Sequence, residues 1–362
     1  MARRPFLAAA APAGSTVMRQ RAEYVLPLRW LDDRGLPDLT GYLRRLAGWL
    51  DVTVVDGSPA PVFAEHEREW GDLVRHLRPR PRRGANGKVA GVMTGLQTAR
   101  HEHVVIADDD VRYDRENLTA VLARLDGADL VHPQNVFSDW PWHARWDTAR
   151  SLVNRATGPD YSGTTAVRRS VVLAAGGYDG DVLFENLELI RTVTAAGGRV
   201  DHAADVFVAR RPPAVRHFVS QRVRQAYDDF AEPGRLLREL AIAPLVVALL
   251  VRRRPDLLVV AAGVAVAVAV VGRLRHGGRQ AYPPDTPLWA PLWLAERGVC
   301  SWLALGYRFR GGVPYAGGRL VHAATPLRIL QRRAAARRPV GPDTARAATS
   351  PVTTPTTARR PA

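Results

Sequence analysis

The stretch that most constrains this chain is residues 103–112, HVVIADDDVR, where a β-branched run stops in three consecutive aspartates. The VVI run reads as a buried strand. A strand end is a rigid place to present carboxylate oxygens, and those are the ligands that hard divalent cations take. On an extended chain Asp108 and Asp110 share one face while Asp109 points to the other. A cation held by that pair would bridge a substrate's phosphates. The same aspartates also suit capping of a helix that the pattern places near Asn117, and position alone does not choose between the two roles.

The segments around this strand alternate in type. Residues 24–28 (YVLPL) read as a first strand, 39–50 as a helix by apolar spacing, and 52–55 (VTVV) as a second strand running into Asp56-Gly57-Ser58-Pro59. A helix is expected over 64–77, a Pro/Arg loop over 78–83, and then a turn, GANGK, that opens a helix over 89–99. This alternation predicts an α/β domain with a mixed, mostly parallel sheet and helices on both faces. Ligands of such sheets bind outside the carboxyl ends of the strands, so Asp56, Lys88 and the aspartate cluster are expected in one crevice. Farther on come a helix over 118–125, a strand over 129–132 and a loop carrying Trp140, Trp142 and Trp146. The segment YSGTTAVRR (161–169) follows, then FENLEL (184–189), which sets Glu185 and Glu188 at a helix start, then a basic helix QRVRQAY (221–227).

Net charge is +16, so an anionic neighbour is expected, whether nucleic acid, acidic membrane or phosphorylated substrate. No nucleic-acid-binding motif is present, and the Ala/Arg/Gly/Pro/Val bias suggests a GC-rich bacterial genome, which inflates arginine without functional meaning. Lys88 is the only lysine among 51 basic residues. The single cysteine, Cys300, excludes an internal disulfide framework and a cysteine-rich zinc site. Residues 1–20 read as a disordered lead-in, 21–235 as the α/β domain, 236–331 as membrane-associated helices, and 332–362 as a disordered basic tail. The membrane reading rests on apolar runs at 241–251, 257–271 and 288–305, the last with Trp289, Trp293 and Trp302 distributed as at an interface. A buried helical core is the alternative. Arginines flank the runs on both sides, so topology is not set by charge.

In this order the pieces resemble the membrane-attached family 2 glycosyltransferases of the GT-A fold, over roughly residues 24–230. The resemblance rests on VVDGSP, NGKVAGVMTGLQTAR, ADDDVRYDRENL, SGTTAVRRSVVLAAGGYD, FENLEL and QRVRQAY. It implies that Asp56 and Lys88 meet the nucleotide and that Asp108 and Asp110 form a D-x-D motif binding diphosphate through Mg2+ or Mn2+. It places Gly163 and Thr164 beside the donor and acceptor. The implied activity is hexosyl transfer from a nucleotide-sugar donor to a lipid or glycan acceptor, with the catalytic domain on the cytoplasmic face of the cell membrane.

Such chemistry needs charge stabilisation at the leaving diphosphate, for which Arg222 or Arg224 would be charge-assisted donors. An inverting enzyme also needs a carboxylate that accepts the acceptor's proton. The family places an aspartate where this chain has Asn186, so the base is expected at Glu185, with Glu188 in reserve. The Q/R-x-x-R-W motif lacks its tryptophan here, with Tyr227 three residues beyond Arg224. Trp140 and Trp142 are either acceptor-stacking or core aromatics. Two competing readings stand beside this one. They are a non-catalytic nucleotide-sugar-binding membrane protein, which Asn186 permits, and a sugar nucleotidyltransferase, which would carry a glycine-rich phosphate loop that this N-terminal region lacks.

Overall fold

The computed structural model describes residues 19–315 and 317–337; the expected lead-in before residue 19 and tail beyond residue 337 lie outside them. The strands are β1 (Ala22–Leu28), β2 (Asp51–Asp56), β3 (Arg75–Leu77), β4 (His103–Ala107), β5 (Val111–Arg112) and β6 (Leu130–Val131). They continue with β7 (Gln134–Phe137), β8 (Thr164–Arg168), β9 (Val200–Asp201), β10 (Phe207–Arg210), β11 (Val313–Tyr315) and β12 (Gly318–Leu320). The helices are α1 (Leu36–Ala47), α2 (Ala60–Trp70), α3 (Gly87–Thr98), α4 (Arg115–Arg124), α5 (Trp142–Thr157), α6 (Arg169–Ala174) and α7 (Glu185–Ala195). After these come α8 (Val215–Tyr227), α9 (Pro233–Val251), α10 (Pro255–Leu274), α11 (Gly278–Ala281), α12 (Ala290–Phe309) and α13 (Leu327–Arg337).

A seven-stranded sheet runs in the order β3-β2-β1-β4-β8-β6-β9, and every strand but β8 points the same way. The period of two along each strand feeds two cores. Tyr24, Leu26, Val52, Val54 and Val105 face the first core with α1 and α4, while Val25, Val55, Val104 and Ile106 face the second with α3 and α7. Helix α1 forms because Leu39, Tyr42, Leu43 and Leu46 repeat at helical spacing, and all four are buried. The expected mixed α/β sheet with helices on both faces is the one observed.

Two local readings differ. Residues 64–77 do not make one helix: α2 ends at Trp70, whose indole N–H donates to Thr40 Oγ1 at 2.8 Å, and β3 then pairs parallel to β2. A three-residue edge strand leaves too little periodicity to register in the sequence. The aspartate run does not cap the following helix. Asp114 does, its carboxylate accepting from Asn117 N at 2.8 Å.

Helices α9 and α10 form a hairpin through Arg252–Arg254, and among the described residues α10 is the one helix long and apolar enough to cross a membrane. Its Ala265, Ala269 and Gly272 are buried, and a Cβ on Gly272 would come within 1.8 Å of the Leu152 carbonyl oxygen on α5. The stretch expected as a third membrane piece turns one face of α12 to the core: Trp293 is buried and Arg297 is paired with Asp229 at 3.2 Å. Its other face leaves Leu292, Val299, Trp302 and Leu303 exposed, whereas Trp289 packs with the core around Trp293. After α12 the chain returns to the α/β domain, and residues 332–337, expected as disordered tail, continue α13 against α7.

Helix α3 lies close on β1 because Gly95 faces it, and a Cβ there would fall 2.3 Å from Val25 Cγ1. Gly95→Ala is therefore expected to destabilise the fold by about 1–3 kcal/mol despite alanine's better helix propensity, read as a lowered thermal midpoint.

Candidate active site

At the carboxyl ends of β1, β2 and β4 lies a cleft of about 750 Å3, walled by the loop after β3, the start of α3, α8 and the β11–β12 hairpin. Its floor holds Asp108, Asp109 and Asp110, each engaged by a different element. Asp108 pairs with Lys88 Nζ, Asp109 accepts from the Trp30 indole N–H, and Asp110 Oδ2 accepts from Arg210 Nε at 2.6 Å. Lys88 Nζ also reaches Glu185 Oε1 at 2.6 Å, so one ammonium joins the aspartate strand to the start of α7.

Lys88 is placed by the N-cap of α3. Asn86 Oδ1 accepts from the Lys88 N–H at 3.1 Å, while its amide donates to the Val182 carbonyl and its oxygen also accepts from Tyr315. Burial works against the Lys88 charge, yet Asp108 and Glu185 hold its pKa well above the usual lysine value. Burial pushes the Asp110 carboxyl upward, opposed by Arg210 and reinforced by Asp108. Asp110 Oδ1 is buried without a hydrogen-bond partner, an orphan oxygen that a cation in the cleft would satisfy. Asp108 lies beside it, so the residues present fit a hard divalent ion. Glu185 sits in the first turn of α7, where the helix dipole favours a carboxylate.

The structure brings Asp108, Asp110, Lys88, Glu185 and Arg224 together around the cleft. Other expected site residues point elsewhere. Asp56 ends β2, whose alternation turns Val55 and Gly57 toward the cleft and the Asp56 carboxylate away from it. It is fully buried; burial raises its pKa, but hydrogen bonds from His66, His76 and Ser58 outweigh this and hold it below the usual carboxylate range. Arg222 is buried against Asp147 Oδ1 at 3.0 Å and does not line the cleft, because it lies one residue off the face of α8 that carries Gln221, Arg224 and Gln225. Glu188 is buried one turn along α7, accepting from the Thr325 N–H at 2.6 Å, so it anchors the C-terminal segment. Asn186 donates its amide to the Ser162 carbonyl at 3.0 Å.

Gly163 and Thr164 stand behind the aspartates. The Gly163 carbonyl accepts from Asp108 N at 2.9 Å, and a Cβ on Gly163 would meet Asp108 Oδ2 at 2.6 Å. Thr164 Oγ1 donates to the Ile106 carbonyl at 2.8 Å. Trp140 packs on Phe137 and Tyr282, and Trp142 on His143, Trp146 and Phe218, all outside the cleft lining.

Residues absent from the sequence reading complete the cleft. Arg210 reaches Asp110 from β10, Tyr315 stacks its ring under the Arg224 guanidinium at 5.0 Å, and burial pushes the Asp228 carboxyl up to about 8 against the pull of Arg224. No periodic or motif signal marks these positions; Arg210 sits in a four-residue strand and Tyr315 in a C-terminal hairpin.

Residues 52–228 match the model of the family described as glycosyltransferase like family 2. The chain carries a family 2 glycosyltransferase domain. No curated protein sequence matches it. Among solved structures it is similar to the mannosyltransferase PcManGT from Pyrobaculum calidifontis in complex with GDP-Man and Mn2+, at 18% identity, covering 88% of this chain and 85% of that one, with a TM-score of 0.45. It is also similar to GalNAc-T7 with UDP, GalNAc and Mn2+ (16% identity, 54% and 43% covered, TM-score 0.36). A mycobacterial protein gives 18% identity, 57% and 72% coverage and a TM-score of 0.38.

The glycosyltransferase's Gly163 loop is held by His132, whose Nε2 accepts from Ser162 N at 3.0 Å and is therefore unprotonated. Burial, with a smaller push from His202, lowers the His132 pKa from 6.5 to about 4. The unfolded chain thus takes up a proton that the fold refuses between those values. The contribution is fully present above pH 6.5 and is lost as pH falls toward 4, about 3 kcal/mol in all. Thermal melts from pH 7 to 4 are expected to fall less steeply in His132→Asn than in wild type.

Proposed function

We propose that this glycosyltransferase is an inverting enzyme that moves a hexose from a nucleoside diphosphate sugar to a lipid or cell-envelope glycan at the cytoplasmic face of a membrane. The observation that supports it most is the Asp108–Lys88–Glu185 bridge, which sets a carboxylate beside the diphosphate end of one cleft. The acceptor hydroxyl oxygen forms a bond to the anomeric carbon as the bond to the diphosphate breaks, and its proton passes to Glu185. Attack opposite the leaving group inverts the centre. Arg210 and Arg224 line the cleft, and in this reading they act as charge-assisted donors to the departing diphosphate. Asp108 and Asp110 are the residues that would hold Mg2+ or Mn2+, which when bound supplies Lewis-acid stabilisation of the leaving charge.

Asn186, engaged with Ser162, takes no part in proton transfer, so its departure from the family aspartate does not by itself silence the site. Membrane attachment is supported by the length and composition of α10 and by exposed Leu245, Val247, Leu250, Val251, Val259, Val260 and Val264 on the α9–α10 hairpin.

Glu185→Gln is expected to lower kcat by roughly 10^2–10^4 while leaving donor affinity within a few-fold, measured by transfer to extracted membrane lipids and by calorimetry with nucleotide sugars. Turnover at the wild-type rate would remove Glu185 as base. Asn186→Asp is expected to leave kcat low in the Glu185→Gln background. In vesicle flotation, the wild-type chain is expected to rise with anionic lipid and a Val259→Glu/Val260→Glu variant to stay behind; equal flotation would count against attachment through the hairpin.

A further inference from the structure

Behind the cleft wall, on the far side of β2, Asp56 sits in a chain of alternating carboxylates and imidazoles that the transfer reaction leaves unused. Asp56 Oδ2 meets His66 Nδ1 at 2.6 Å and His76 Nε2 at 3.1 Å. The outer nitrogens of the same rings face two further carboxylates: His66 Nε2 lies 3.2 Å from Asp33 Oδ1, and His76 Nδ1 lies 2.5 Å from Glu67 Oε2. The Asp56 and His66 side chains have no solvent exposure and that of His76 has 1%.

We propose that Asp56, His66 and His76 form a structural zinc site, with Asp33 and Glu67 as the outer carboxylates that orient the two rings. The three donor atoms lie within 4.8 Å of one another, a spacing that small side-chain shifts bring to a common ion. Two imidazoles and one carboxylate are a donor set that Zn2+ takes. A metal-bound histidine gives its other N–H to a carboxylate; here His76 has Glu67 as that partner, and Asp33 lies 3.2 Å from the outer nitrogen of His66. Proton counting points the same way. Four ring nitrogens face carboxylates, whereas two neutral imidazoles own only two N–H groups. A divalent ion supplies the missing positive charge, leaving each ring one N–H for its outer carboxylate. His66 Nε2 and Asp33 Oδ1, both buried atoms, face each other without a well-aligned hydrogen bond.

The site would pin α2 and β3 to the end of β2. Trp30 packs edge-on against His66 at 5.5 Å between centroids and gives its indole N–H to Asp109 in the cleft. The ion would thus brace one wall of the donor site from outside it, without touching substrate.

The full chain, stripped with chelator and titrated with Co2+, tests this. The expected result is a visible absorption of Co2+ held by two imidazoles and one carboxylate that is displaced by Zn2+ and persists in Asp108→Asn, where it saturates at one ion per chain. The band should vanish in His76→Gln. Glu67→Gln changes a side chain that is 52% exposed, so it should fold, and is expected to weaken Co2+ binding by about 10-fold or more. Absence of the band in wild type overturns the proposal. So does its loss in Asp108→Asn, its retention in a folded His76→Gln, or unchanged affinity in Glu67→Gln. Because Asp108 belongs to the cleft and Asp56, His66 and His76 do not line it, failure here leaves the transfer reading standing, and failure of that reading leaves this one.

Discussion

The interaction on which the cleft depends is the Lys88 ammonium held between Asp108 and Glu185. Burying a lone charge in this position would cost several kcal/mol, and two carboxylates facing each other without it would repel. One compact ammonium resolves both, and it ties the end of β4 to the start of α7 across 77 residues of sequence. A planar guanidinium is wider and prefers a forked partner, which accounts for a lysine here in a chain that otherwise uses arginine throughout. The same ammonium stands between the two halves of the proposed chemistry, Asp108 on one side and Glu185 on the other.

The rest of the molecule keeps that bridge in place. Glycines at 91 and 95 let α3 approach β1, and Asn86 caps the helix so that Lys88 enters the cleft. Glu188 and Tyr315 draw the C-terminal segment back onto the α/β domain, so residues far beyond the family 2 region at 52–228 help wall the site. The α9–α10–α12 region is not a separate anchor. Arg297, Asp229 and Arg235 form a buried ionic cluster beneath it, and α10 is seated on α5 through small residues. Apolar exposure concentrates on the hairpin that projects from this base.

Much of the fold was legible because period-two and period-3.6 patterns report burial directly. The strands around 24–28, 52–55 and 103–107, helix α1 and the convergence of Lys88 with the aspartates follow from them. What failed was short or context-dependent. Strand β3 has three residues, and α12 looks apolar by composition although its core face carries Arg297 paired to Asp229. Arg222 and Arg224 were equivalent as sequence and differ in structure because two residues along a helix change face by about 200°.

By itself the sequence determined which residue types could do chemistry here: a run of strand-end carboxylates, one lysine, and glutamates at a helix start. Local periodicity carries that much, since it depends only on neighbours in the chain. Tertiary structure decided which of them meet. It turned Asp56 from the cleft toward His66 and His76, brought Arg210 to Asp110 from a different sheet, and set Trp140 and Trp142 outside the cleft lining. Such choices rest on the register of strands and the facing of helices, which contacts between distant segments set and which neighbours in sequence do not encode.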